Sequence, residues 1–144
     1  MSTFLRGVLV SGTVAGTAAA IAVSLAGRRE AGALAAPLNA TSHIVWGNEA
    51  AQRDEWSAKY TGIGAALHYA SAVFWAALYE LLPGPAPARA LATAATAYIV
   101  DYHVVPRRLT PGWEKRISGR ALAATYGALA VGLLLSSLIE PRRT

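Results

Sequence analysis

The sequence predicts an all-α, polytopic membrane protein: four transmembrane helices in an up-down bundle, forming a single domain with one longer loop after the first helix. Three observations carry this. Four apolar stretches, Gly7 to Gly27, Thr61 to Leu82, Arg89 to Val105 and Ala121 to Ile139, fill more than half of the 144 residues. Hydrophobic residues make up 54% of the chain and charged residues only 15%, with a mean hydropathy of +0.36; a soluble domain of this size carries about a quarter charged residues. The charges that exist fall mostly between the stretches. A bilayer core of about 30 Å takes roughly 20 helical residues at about 1.5 Å each, a length that the stretches approach or meet.

Composition excludes several classes. The chain has no cysteine, which removes disulfides, thiolate metal sites and cysteine nucleophiles together. The net charge of +5 sits beside apolar helices, where it sets topology and meets anionic lipid headgroups, so the expected partner is the bilayer and not nucleic acid.

The first stretch, GVLVSGTVAGTAAAIAVSLAG, carries no charge and ends at Arg28, Arg29 and Glu30. Its apolar run is longer than a signal peptide's, and two arginines separate it from the nearest small-residue cleavage pattern, so it reads as a span. Gly12 and Gly16 fall four apart, as do Ser11 and Ala15, the spacing that lets helix backbones approach closely in lipid, within one chain or between copies. Residues 31–60 form the longest polar connection. Its first half is mildly apolar yet broken by Pro37, Asn39 and His43, which predicts an interfacial or re-entrant piece with Trp46 and Trp56 at headgroup depth.

The second stretch, TGIGAALHYASAVFWAALYELL, stops at Pro83-Gly84-Pro85, which cannot continue a helix. The third, RALATAATAYIVDYHVV, contains Asp101 and His103 one turn before Pro106. It needs its neighbours to stay inserted, because a charge at a helix centre costs about 2.5–3.5 kcal/mol on insertion scales. A basic loop, PRRLTPGWEKRISGR, leads to the last stretch.

With four spans, the first and third connections share a side. That side holds Arg28, Arg29, Arg53, Lys59, Arg107, Arg108, Lys115, Arg116 and Arg120, whereas Arg6, Arg89, Arg142 and Arg143 lie on the other. The positive-inside rule puts the loops in the cytoplasm and both termini outside.

Folding the second and third stretches about their turn places His68 and His103 at nearly one depth. Asp101 is about 3 Å away along the axis, and His43 sits in the loop at the same end. These four form the candidate polar cluster. Its functional reading is a proton or ion path, or ligands for a metal or haem; its structural reading is a hydrogen bond from a histidine, a tyrosine or Arg108 to Asp101 that holds helices in register. Residues two apart lie about 200° around a helix, which puts Tyr98, Asp101 and Tyr102 on one face and His103 on the other. No HExxH, nucleophile elbow or complete GxGxxG is present, so the sequence predicts no catalytic residue, no resident metal and no cofactor.

The run LHYASAVFWAALYELLP, a turn, and then ATAATAYIVDYHVVPRRLTPGWE resembles in layout the YagU-like family of small bacterial inner-membrane proteins. By that resemblance His68, Glu80, Pro83, Leu109, Thr110 and Pro111 occupy comparable positions, over about 50 residues. It implies a bacterial inner-membrane location and the helix count, and no activity. The expected role is therefore non-enzymatic, as an accessory protein touching a membrane-protein partner or a second copy. The alternatives are a small transporter or proton conductor using His68, Asp101 and His103, and a membrane enzyme holding a metal or haem through histidines.

Overall fold

The computed structural model describes residues 1–141, and among them every regular element is helical. Six α-helices follow in order: α1 (Thr3–Ala31), α2 (Ala36–Thr41), α3 (His43–Trp46), α4 (Ile63–Leu81), α5 (Ala86–Ile99) and α6 (Gly119–Ile139). A wide π turn, Ala58–Gly62, leads into α4, and a second, Val100–Val104, continues α5. Serine oxygens cap the starts: Ser2 accepts from the Leu5 amide and Ser118 from the Ala121 amide. Gly32, in the left-handed conformation, ends α1, and Pro87 sits in the first turn of α5.

Three helices, Thr3–Ala31, Ala58–Leu81 and Gly119–Ile139, are long and apolar enough to cross a membrane. The expected third span, 89–105, is helical from Ala86 to Val104 but falls outside that group. It is rich in alanine and threonine and holds Arg89 and Asp101, which dilute its apolar character. Arg89, counted on the membrane side of the termini, is buried: its Nη1 donates to the Tyr79 carbonyl at 3.1 Å and its guanidinium lies 4.2 Å from the Tyr79 ring centre. Arg142 and Arg143, counted in the orientation argument, lie outside the described residues.

Helix α1 is the centre of the assembly, packed on α4 along one face and α6 along another. A Cβ at Gly12 would stand 2.8 Å from the Val73 backbone, and one at Gly16 would stand 2.9 Å from the Ala72 Cβ. Gly132 of α6 lies equally tight against the Ala15 backbone. The glycines at positions 12 and 16 thus serve a contact within the chain. Hydrogen bonds cross these seams: Ser11 donates to Glu80 at 2.7 Å, and the Ser136 hydroxyl lies 3.0 Å from that of Ser11. At the ends of the α1–α6 pair, Arg6 meets Glu140 at 3.0 Å, and the Glu30 carboxylate accepts from both the amide and the hydroxyl of Ser118. A carboxylate there also faces the positive end of the α6 dipole. Helix α5 packs chiefly on α6, so the α4–α5 hairpin is splayed and not a tight pair.

The outward faces carry exposed large apolar side chains on every long helix: Leu25 on α1, Phe74 on α4, Leu91 and Ile99 on α5, Leu138 on α6.

The mildly apolar half of the first loop packs on protein, against α1 and α4. All six residues of α2 are buried, because the loops 32–57 and 106–118 fold together into a cap over one end of the bundle. Asn39, fully buried, donates to the carbonyls of Arg53 and Glu55 and accepts from the Thr61 hydroxyl. Arg108 donates to the Ile44 carbonyl, and Arg116 to the Ala51 carbonyl and Asp54. Trp46 and Trp56 stay exposed at the rim, at 40% and 63%.

The seam sets the first test. Gly12→Val forces the α1–α4 backbones apart and should cost about 1–3 kcal/mol, whereas Gly127→Ala, into open space, should be neutral or stabilising by roughly 0.5–1 kcal/mol. Reversible unfolding in mixed micelles measures both.

Candidate functional site

Where the cap meets the bundle, a cavity of about 140 Å³ lies between α1, α4, α6 and the end of α5. Its polar lining is Thr41, His68, Ser71, Asp101, Thr125 and Tyr126, and its aromatic walls are Trp75 and Trp113. Each is put there by a local feature of the sequence.

His68 points from α4 toward α1, where its Nε2 donates to the Gly16 carbonyl at 2.7 Å. The absence of a side chain at Gly16 brings the two helices close enough for the ring to reach backbone. The neutral imidazole then keeps a lone pair on Nδ1. Asp101 comes from the π turn at the end of α5. Its Oδ2 accepts from the Tyr126 hydroxyl at 2.6 Å, a length typical of a charge-assisted O–H bond. Tyr126 lies on the buried face of α6.

Trp113 descends from the cap. Gly112, at a φ of 81°, reverses the chain where a Cβ would strike the Ala40 carbonyl. The indole that follows is 5% exposed, donates to Thr41 at 3.0 Å, and lies 5.6 Å from the His68 ring and 6.0 Å from the Tyr126 ring. His68, Trp113, Tyr126 and Asp101 thus form one continuous wall joining four segments distant in sequence.

The other two candidates go elsewhere. His103 is exposed, with its ring 5.6 Å from that of Tyr98. The expectation that these two lie on opposite faces assumed an α-helix. The π turn widens the register to i→i+5, bringing positions 98 and 103 onto one side and leaving Asp101 facing α6. His43 is buried inside the cap, donating from Nε2 to the Thr110 carbonyl at 2.8 Å and accepting at Nδ1 from Lys115 at 3.3 Å. The three histidines therefore do not converge. The bis-histidine pairing of His68 with His103 is not formed, and among the described residues no three histidines, aspartates or glutamates are grouped as metal ligands. Gly64 packs against the Leu38 backbone.

Sequence reasoning reached His68 and Asp101 through their cost in an apolar helix. It did not reach Tyr126 or Trp113 as their neighbours. Only the proline and glycine before Trp113 hinted at a turn there.

Tyr126→Phe leaves an Asp101 oxygen without its donor and should destabilise by about 1–3 kcal/mol, measured by unfolding in micelles; Tyr69→Phe, at an exposed ring on α4, should cost less. No protein-family model matches the chain, and neither a curated protein nor a solved structure is significantly similar to it.

Proposed function

We propose that this chain is a four-span integral protein of the bacterial inner membrane with a non-enzymatic, accessory role, presenting its cap to a membrane-protein partner or a second copy. The cap is the observation that carries the reading. A short membrane protein has no need to spend Asn39, Arg108, Arg116 and Trp113 on ordering two loops unless their shared surface must hold a shape. Lys115 is held by Asn48 and Arg116 by Asp54, so the surface carries fixed charges rather than swinging ones.

Two further features support the topology. The two loops are hydrogen-bonded to each other, which supports placing both on one membrane side with α4 and α5 crossing as a pair. Leu91 and Ile99 give α5 an apolar outer face continuous with those of its neighbours, which suits lipid. The basic residues concentrated on the cap favour the cytoplasm for that side. The YagU-like layout belongs to this proposal too.

The lack of native cysteine makes single-cysteine labelling clean. In spheroplasts, an impermeant maleimide should modify Thr3→Cys and Ala88→Cys, and reach Glu55→Cys and Leu109→Cys only after permeabilisation. Opposite reactivity of Glu55→Cys and Leu109→Cys would rule out four spans; a fully inverted pattern would rule out the orientation. For the role itself, a photo-cross-linking residue replacing Trp56 should give one discrete protein adduct in native membranes, and the absence of any adduct across the cap would defeat the accessory reading. A second reading, a small transporter, is favoured by the meeting of His68 and Asp101 on one cavity. Proteoliposome flux that Asp101→Asn abolishes would put it first.

A further inference from the structure

The cavity at the base of the cap has a chemistry that the accessory role does not use. Its one acidic group, Asp101, has Oδ2 engaged by Tyr126 and a second oxygen for a further donor. His68 adds a lone pair at Nδ1, since its Nε2–H is spent on Gly16. Thr41, Ser71 and Thr125 add hydroxyls, of which Thr41 is committed to the Pro37 carbonyl and the Trp113 indole, and Thr125 to the Ala121 carbonyl. Trp75, Trp113 and Tyr126 supply aromatic rings, whose faces attract positive charge. No lysine or arginine is among the described residues lining it, although the cap a few residues away is strongly basic. An anion would face a carboxylate and ring faces with no counter-charge. A metal ion would find too few ligands grouped together.

From this we infer that the cavity is a binding site for a small primary ammonium ion, its N–H donors shared between Asp101 and His68 and its hydrocarbon body held against Trp75 and Trp113. The volume sets the size. About 140 Å³ is close to the roughly 150 Å³ cavity that admits benzene, so the ligand has one small ring or an equivalent branched chain. The site stands whether or not the cap has a partner, and its test reads binding and not flux or cross-linking.

Cyclopentylammonium and cyclopentanol differ in charge at nearly constant shape. Titrated calorimetrically into the unaltered protein in a nonionic detergent at pH 8, the ammonium should bind about tenfold or more tightly than the alcohol. Asp101→Asn should erase that difference, since the amide still accepts from Tyr126 but carries no charge. Ser71→Leu, which fills the cavity, should abolish both. Equal affinities for the two probes in the unaltered protein, or no heat from either, would overturn the inference without reference to any variant. A charge preference surviving Asp101→Asn, or binding surviving Ser71→Leu, would place the site elsewhere and overturn it as well.

Discussion

The close approach of α1 to two neighbours at once is the constraint on which the remaining structure depends. Gly12 and Gly16 lower one face of α1 onto α4, while Ala15 meets Gly132 of α6 on the other. In lipid there is no hydrophobic force between helices, since acyl chains are as apolar as leucine, and stability comes from dense packing and interhelical hydrogen bonds. Small residues serve both. They bring backbones into contact, and they expose groups such as the Gly16 carbonyl to a side chain from the facing helix. The glycine that makes the seam thin is also the acceptor that fixes His68.

Several polar groups within the bundle are partnered across helices, although the Thr93 and Tyr102 hydroxyls are buried without a hydrogen-bond partner. Asp101 is held by Tyr126, Ser11 joins Glu80, and Arg89 turns back onto Tyr79. Burying such groups without partners costs far more than the net value of the bonds they make, so each pair fixes the register of its two helices. The π turn at Val100–Val104 belongs to the same logic. Within that wider turn Asp101 meets Tyr126 of α6, while His103 is exposed on the side of Tyr98.

The cap turns two loops into a third layer. Buried Asn39 satisfies three partners from its own loop and the start of the α4 segment, and Trp113 plugs the cap into the bundle through Thr41 and the rings of His68 and Tyr126. The floor of the cap is therefore also the roof of the cavity. A shift of the cap would move one wall of the cavity with it, so the cap and the enclosed polar site are mechanically joined.

By itself the sequence determined what depends on local composition. The membrane-length helices follow from runs of apolar residues that need no tertiary partner to be recognised, the breaks follow from Pro83-Gly84-Pro85 and Pro106, and the small-residue spacing at Gly12 and Gly16 marks a packing face. His68 and Asp101 stood out because an ionisable group in an apolar helix is expensive wherever it points. The tertiary structure alone decided which groups meet. Asp101 pairs with a tyrosine 25 residues away, Trp113 reaches His68 from a loop, and His43 is consumed by the cap, because these depend on helix rotation, on a turn wider than the α period, and on two loops folding against each other. None of those leaves a periodic mark in the chain. The weaker apolar character of α5 has the same origin: its Arg89 and Asp101 lower its hydropathy as a segment, and only its neighbours, Tyr79 and Tyr126, provide the partners that make it part of the bundle.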